Sequence, residues 1–205
     1  MRKNSIKRLL SLQFVTILLI AAPLSAGPAA NANSNGSGEN PVDWGPGSPL
    51  VFGGYNVAVA AENGFTIETA EDGKQRSIPK STQARSLVQK ASKYGLEPRD
   101  TATGNCGTAW LNGSKGQENK VSFRTGYSVR LPVQFHQWRV SAQGFITSGE
   151  KNYAQGSGAS IWYVYGVTTA IGPGRAVVPP FSPTALITLI DGSVCYSNSP
   201  GFGFD

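Results

Sequence analysis

The chain is poor in the residues on which most metal proteins and many enzymes depend. Its 205 residues include one histidine, His136, one methionine and two cysteines, Cys106 and Cys195. A structural zinc site takes about four Cys or His ligands, and the catalytic His₃ and His₂Glu sets need more than one histidine. Neither set can be assembled here. There is no Cys-x-x-Cys redox pair. There is no phosphate-binding GxxxxGK[ST] loop, no strand-bound GxGxxG and no EF-hand loop. A Gly-x-Ser-x-Gly nucleophile elbow is also missing. Twelve acidic residues always supply two carboxylates, so their number alone nominates no glycosidase. No cofactor is expected.

Long apolar runs are absent after the N-terminus. At the N-terminus, Arg2, Lys3, Lys7 and Arg8 precede a mostly apolar stretch from Leu9 to Leu24, and small residues follow. This is the layout of a secretory signal peptide. The stretch is broken by Ser11, Gln13 and Thr16 and falls short of the roughly 20 apolar residues that a spanning helix needs. Cleavage after Ala26 or after Ala32 fits the small-x-small rule. The second leaves NSNGSGEN as a flexible start. We therefore expect a signal peptide over 1–32, a flexible leader over 33–50 and a single mostly-β domain over 51–205. The alternative split is a 54–98 hairpin plus helix and a 101–205 β-sandwich. The mature protein is expected to be exported, to the medium or the cell envelope, with no membrane span after cleavage.

The net charge of +6 shrinks on this reading. Four of the 18 basic residues lie before Ala32 and no acidic one does, which leaves fourteen against twelve, or +2. A nucleic-acid partner would want a clustered basic face, and none is expected.

In an oxidising compartment, paired cysteines become disulfides. Cys106 and Cys195 allow only one intramolecular pairing, and 88 residues lie between them. Closing a loop of that length stabilises by roughly 4–5 kcal/mol before strain. Trp110 lies close to Cys106 in sequence and is expected to pack on the disulfide.

Tyr55, Val57, Val59 and Ala61 alternate with smaller or polar residues, Glu62-Asn63-Gly64 offers a turn, and Phe65, Ile67 and Thr69 alternate again. The pattern predicts an N-terminal hairpin over 54–72. Ala84, Leu87, Val88, Ala91 and Tyr94 recur at helical spacing, with Ser81 or Thr82 as start caps and Gly95 as an end cap. They predict one short helix over about 81–94. Strands are expected near 106–111, 120–130, 133–142, 144–148, 159–171, 175–178, 184–190 and 193–197. Asp191-Gly192 between apolar runs signals a hairpin, and Gly172-Pro173-Gly174 a turn. Short strands with frequent turns indicate an antiparallel β-sandwich or barrel-like domain. The ending SPGFGFD reads as exposed, free to dock or to serve as a sticky tail.

In VQFHQWRV, alternation places His136 with Trp138 and Val140 on the more apolar face, which suits a buried histidine. In IWYVYGV, Tyr163 and Tyr165 share a face with Ile161 and Val167, while Trp162 points the other way with Val164. Both faces are apolar enough for a core. With one face open, Tyr163 and Tyr165 would form a flat platform for a sugar or a peptide. Tyr163, Tyr165 and His136 are the candidate ligand-surface residues. No catalytic residue is nominated.

The signal peptide, GNCG in mid-chain, DGSVCYSNSP near the end and Trp138 between them resemble small secreted proteins of Gram-positive, actinobacterial type with one cysteine pair. The resemblance carries no functional residues across. Together these readings predict an exported, disulfide-stabilised β protein that acts by binding, with a cell-wall glycan or an extracellular protein as its ligand. A secreted hydrolase with a dispersed site and a secreted protease inhibitor are the alternatives.

Overall fold

The computed structural model describes residues 47–93 and 105–205. The expected signal peptide, most of the leader with Trp44, and the helix end at Tyr94 and Gly95 lie outside the described residues. The fold is mostly β, with two short helices.

The chain enters as β1 (Ser48–Tyr55). The leader expected over 33–50 therefore gives way to strand at Ser48, and Leu50 is fully buried. Residues 57–61, read from their alternation as the first arm of a hairpin, form helix α1 (Val57–Glu62). The Asn56 side chain accepts from the Val59 amide at 3.2 Å and caps the helix start. Alanine and valine on both sides of the alternation left the period ambiguous, and the cap decides it. The N-terminal hairpin lies further on, as β2 (Phe65–Thr69) paired with β3 (Gln75–Pro79).

Helix α2 (Thr82–Lys93) follows. Ser81 caps it by accepting from the Ala84 amide at 3.0 Å. Ala84 is buried, and Leu87, Val88 and Ala91 pack against the core, as the spacing predicts.

The remaining strands are β4 (Asn105–Lys115), β5 (Lys120–Val129), β6 (Val133–Gly144), β7 (Ser148–Gln155), β8 (Ile161–Thr169), β9 (Gly174–Val177), β10 (Ala185–Leu189), β11 (Ser193–Tyr196) and β12 (Gly201–Phe204). With β1 they form one ten-stranded antiparallel sheet, in the order β12-β9-β6-β10-β11-β1-β4-β5-β8, with β7 on β6. One edge of β6 is shared, by β10 over Val133–Trp138 and by β9 over Ser141–Gly144; β7 takes the other edge. The Phe-rich ending is β12, paired to β9 with Phe204 buried, rather than a loose tail. Strand 144–148 is corrected to β7, which begins where that expectation ended.

The Asp191-Gly192 hairpin forms as expected. Gly192 has φ +84°, and an added Cβ would sit 2.6 Å from the Asn56 carbonyl oxygen, so both the turn and the approach of α1 require glycine. Arg130 and Asp191 form an ion pair under the turn, with side chains 13% and 3% exposed. Arg130 also donates to Ser193 Oγ at 2.9 Å, and Ser77 Oγ of β3 donates to the Asp191 carbonyl at 2.8 Å. This polar knot ties the small β2–β3 sheet to the large one.

Cys106 and Cys195 are disulfide-bonded, with Cα atoms 6.0 Å apart. They join β4 to β11, the two strands that flank β1. Strands two places apart are normally about 9–10 Å from each other. The approach occurs where the register of β1 shifts on both sides, at Pro49/Val51 and Phe52/Gly54.

Candidate functional site

Strand β8 closes one end of the strand order, β7 lies off that order beside β6, and the two share no ladder. Their main chains approach at Gly149 and Thr169, and side chains join them on the inner face. Tyr153 of β7 lies 5.6 Å, ring to ring, from Trp162 of β8. Trp162 in turn packs at 4.5 Å on His136, 5.4 Å on Tyr127 and 6.5 Å on Trp138.

His136 is fully buried at the centre of this cluster. Its Nδ1 lies 2.6 Å from the Tyr127 hydroxyl. Its Nε2 has no hydrogen-bond partner among the described residues. Burial lowers the imidazole pKa to about 4. Burial also raises that of the Tyr127 phenol, partly offset by a hydrogen bond from the Ser157 side chain. At neutral pH the histidine is therefore neutral, and one hydrogen bond joins the phenol to Nδ1. Beside them, Trp138 Nε1 donates to Thr125 Oγ1 at 2.9 Å, and Thr125 Oγ1 donates to the Trp110 carbonyl at 2.9 Å.

This arrangement suits packing better than catalysis. A general base works best with a pKa near the working pH and within reach of a substrate proton. His136 has neither property. Among the described residues, no group of three or more His, Cys, Asp or Glu could hold a metal ion.

The outer face of β8 is different. Tyr163 and Tyr165 are 50% and 68% exposed, with Ile161 at 55% and Val167 at 47%. Alternation brings all four to one side of an edge strand, while Trp162 and Val164 point inward. The two tyrosine rings lie 6.4 Å apart at 90°. They do not make the flat platform expected from the sequence; one ring stands edge-on to the other.

The three candidate ligand-surface residues are therefore split. Tyr163 and Tyr165 share the outer face, and His136 belongs to the interior. Trp110, expected on the disulfide, lies over Gly126 of β5, where a Cβ would approach its ring to 2.8 Å. Sequence reasoning missed Phe145 and Ile146 at the β6–β7 turn, which are 88% and 68% exposed, and Phe181 at 60%. An apolar residue beside turn-forming Gly or Pro was the available signal. No helix among the described residues is long and apolar enough to cross a membrane. No protein-family model, curated protein or solved structure matches this chain.

Proposed function

We propose that this is an exported, non-enzymatic binding protein that docks an extracellular protein on the outer face of β8. The observation that carries the reading is the row Ile161, Tyr163, Tyr165 and Val167, 47–68% exposed along most of one edge strand. Single exposed apolar residues are ordinary; a contiguous row marks an interaction site. Tyrosine is a preferred anchor at protein interfaces, because it adds large contact area at small entropic cost. Isoleucine and valine at the ends of the row favour a protein surface over a sugar, and so do rings set at 90°. The disulfide supports the exported setting, since such bonds persist in oxidising compartments. The fully buried His136 argues against the hydrolase reading.

The test compares wild-type protein with Tyr163→Ser/Tyr165→Ser, each immobilised and exposed to the secreted proteins of the source organism and, separately, to purified cell wall. The expected result is a protein retained by the wild type and bound about 30-fold more weakly by the variant, in titration with the purified partner. Equal retention by both would contradict the reading. Tyrosine-dependent retention of cell wall alone would replace the protein ligand by a glycan.

A further inference from the structure

Strand β8 carries the exposed row on one face and Trp162 on the other. Trp162 is partly exposed, and His136 behind it is fully buried, ring to ring at 4.5 Å. No ladder closes the sheet over this spot. Strands β7 and β8 approach at Gly149 and Thr169, and further along the seam side chains hold them together. Tyr153 of β7 packs on Trp162, and its hydroxyl reaches over Gly166 of β8, where an added Cβ would lie 2.6 Å from it. The segment joining the two strands, Gly156-Ser157-Gly158-Ala159-Ser160, has only small side chains, and Gly158 has φ +63°. Strand β7 itself is mostly exposed. Segments with few buried apolar contacts open before the rest of a fold.

His136 is the group behind this seam that can gain a charge. Its Nδ1 meets the Tyr127 hydroxyl at 2.6 Å, and its Nε2 has no partner among the described residues. A protonated imidazole carries a hydrogen on both nitrogens, so the cation would bring a second N–H into an aromatic cage that offers it no acceptor. The surrounding strands offer no countercharge either. Strand β5 presents the Tyr127 phenol, β8 presents Trp162, and β7 presents the Tyr153 phenol across Trp162. Its cross-strand neighbours are Ile187 of β10 and Gln155 of β7. Burial is the cause of its lowered pKa, with no contribution from a neighbouring charge.

We propose that protonation of His136 opens the β7–β8 seam locally: Trp162 is unseated, water reaches the imidazolium, and the Ile161–Tyr163 end of β8 leaves its place while the rest of the sheet stays folded. The proton comes from solvent and remains on the ring until the seam closes again. The exposed row rides on the same strand, so acid alters that face as well. The device does not depend on whether a partner docks there.

Native-state hydrogen exchange of the intact protein at pH 7, 5.5 and 4 tests the proposal, read by mass spectrometry and corrected for the intrinsic rate. An opening that frees the histidine gains about 10-fold in population per pH unit below its ordinary pKa. Peptides covering 156–165 should therefore lose protection by about 300-fold as pH falls from 6.5 to 4. At each pH, β10 and β11 should stay better protected than the seam. His136→Phe should abolish the loss, and His136→Gln serves if the phenylalanine variant fails to fold. Exchange of 156–165 at the same rate as β10 and β11 would show that only global unfolding frees His136, and would overturn the proposal. So would seam protection that does not change with pH, or a pH dependence that survives in the His136 variants.

Discussion

The Tyr127 hydroxyl of β5 lies 2.6 Å from His136 Nδ1 of β6, inside a cluster that also joins β7 to β8. The pair links the strands through side chains where the sheet lacks a ladder.

Burial of His136 makes stability depend on pH. The His136 pKa falls from 6.5 to about 4 on folding. Above pH 6.5 the histidine is neutral in both states, and its contribution is fully present. As pH falls from 6.5 towards 4, the unfolded chain takes up a proton that the fold refuses, so stability drops. Below about 4 the loss levels off, at about 3 kcal/mol. Urea unfolding at pH 7, 5.5 and 4 should show this loss in the wild type and a flatter profile in His136→Phe over the same window.

Tyr127→Phe removes the hydroxyl and leaves Nδ1 buried without this partner. The expected cost is about 1–3 kcal/mol, seen as a lower urea midpoint with unchanged slope. His136 should then titrate by NMR with its pKa still below 6.5, because burial rather than the phenol sets the direction.

Asp191→Asn breaks a largely buried ion pair and leaves the Arg130 guanidinium without its countercharge. The expected loss is about 3 kcal/mol or more, measured by denaturant unfolding. Arg130→Met/Asp191→Leu should cost less than Asp191→Asn if the stranded charge dominates.

Cys106→Ser/Cys195→Ser should lose roughly 4 kcal/mol, since the loop it opens is long. Thermal unfolding with and without reductant gives the same comparison in the wild type.

Much of the fold was legible because alternation is strict where one face is buried. His136, Trp138 and Val140 are all buried as their period implies, and Asp191-Gly192 turns where it should. Strand β7 was not legible, because SGEKNYAQ lies at an edge and only Tyr153 and Gly149 are even partly covered. Helix α1 was misread because VAVAAE satisfies two periods at once. The ligand surface was legible as a face but not as an exposed one. Ile161, Tyr163, Tyr165 and Val167 are as apolar as a core row, yet they share a sheet face with Ser128, Gly126, Arg124 and Ser122 of β5 and lie outside the core.

The central claim is that the β8 row exists for an external partner and not for the fold. Urea unfolding of Tyr163→Ser/Tyr165→Ser tests it without knowledge of any partner. The account predicts a stability within about 0.5 kcal/mol of wild type, as for exposed positions. A loss of about 2 kcal/mol or more would make the two tyrosines part of the packed structure and contradict the account.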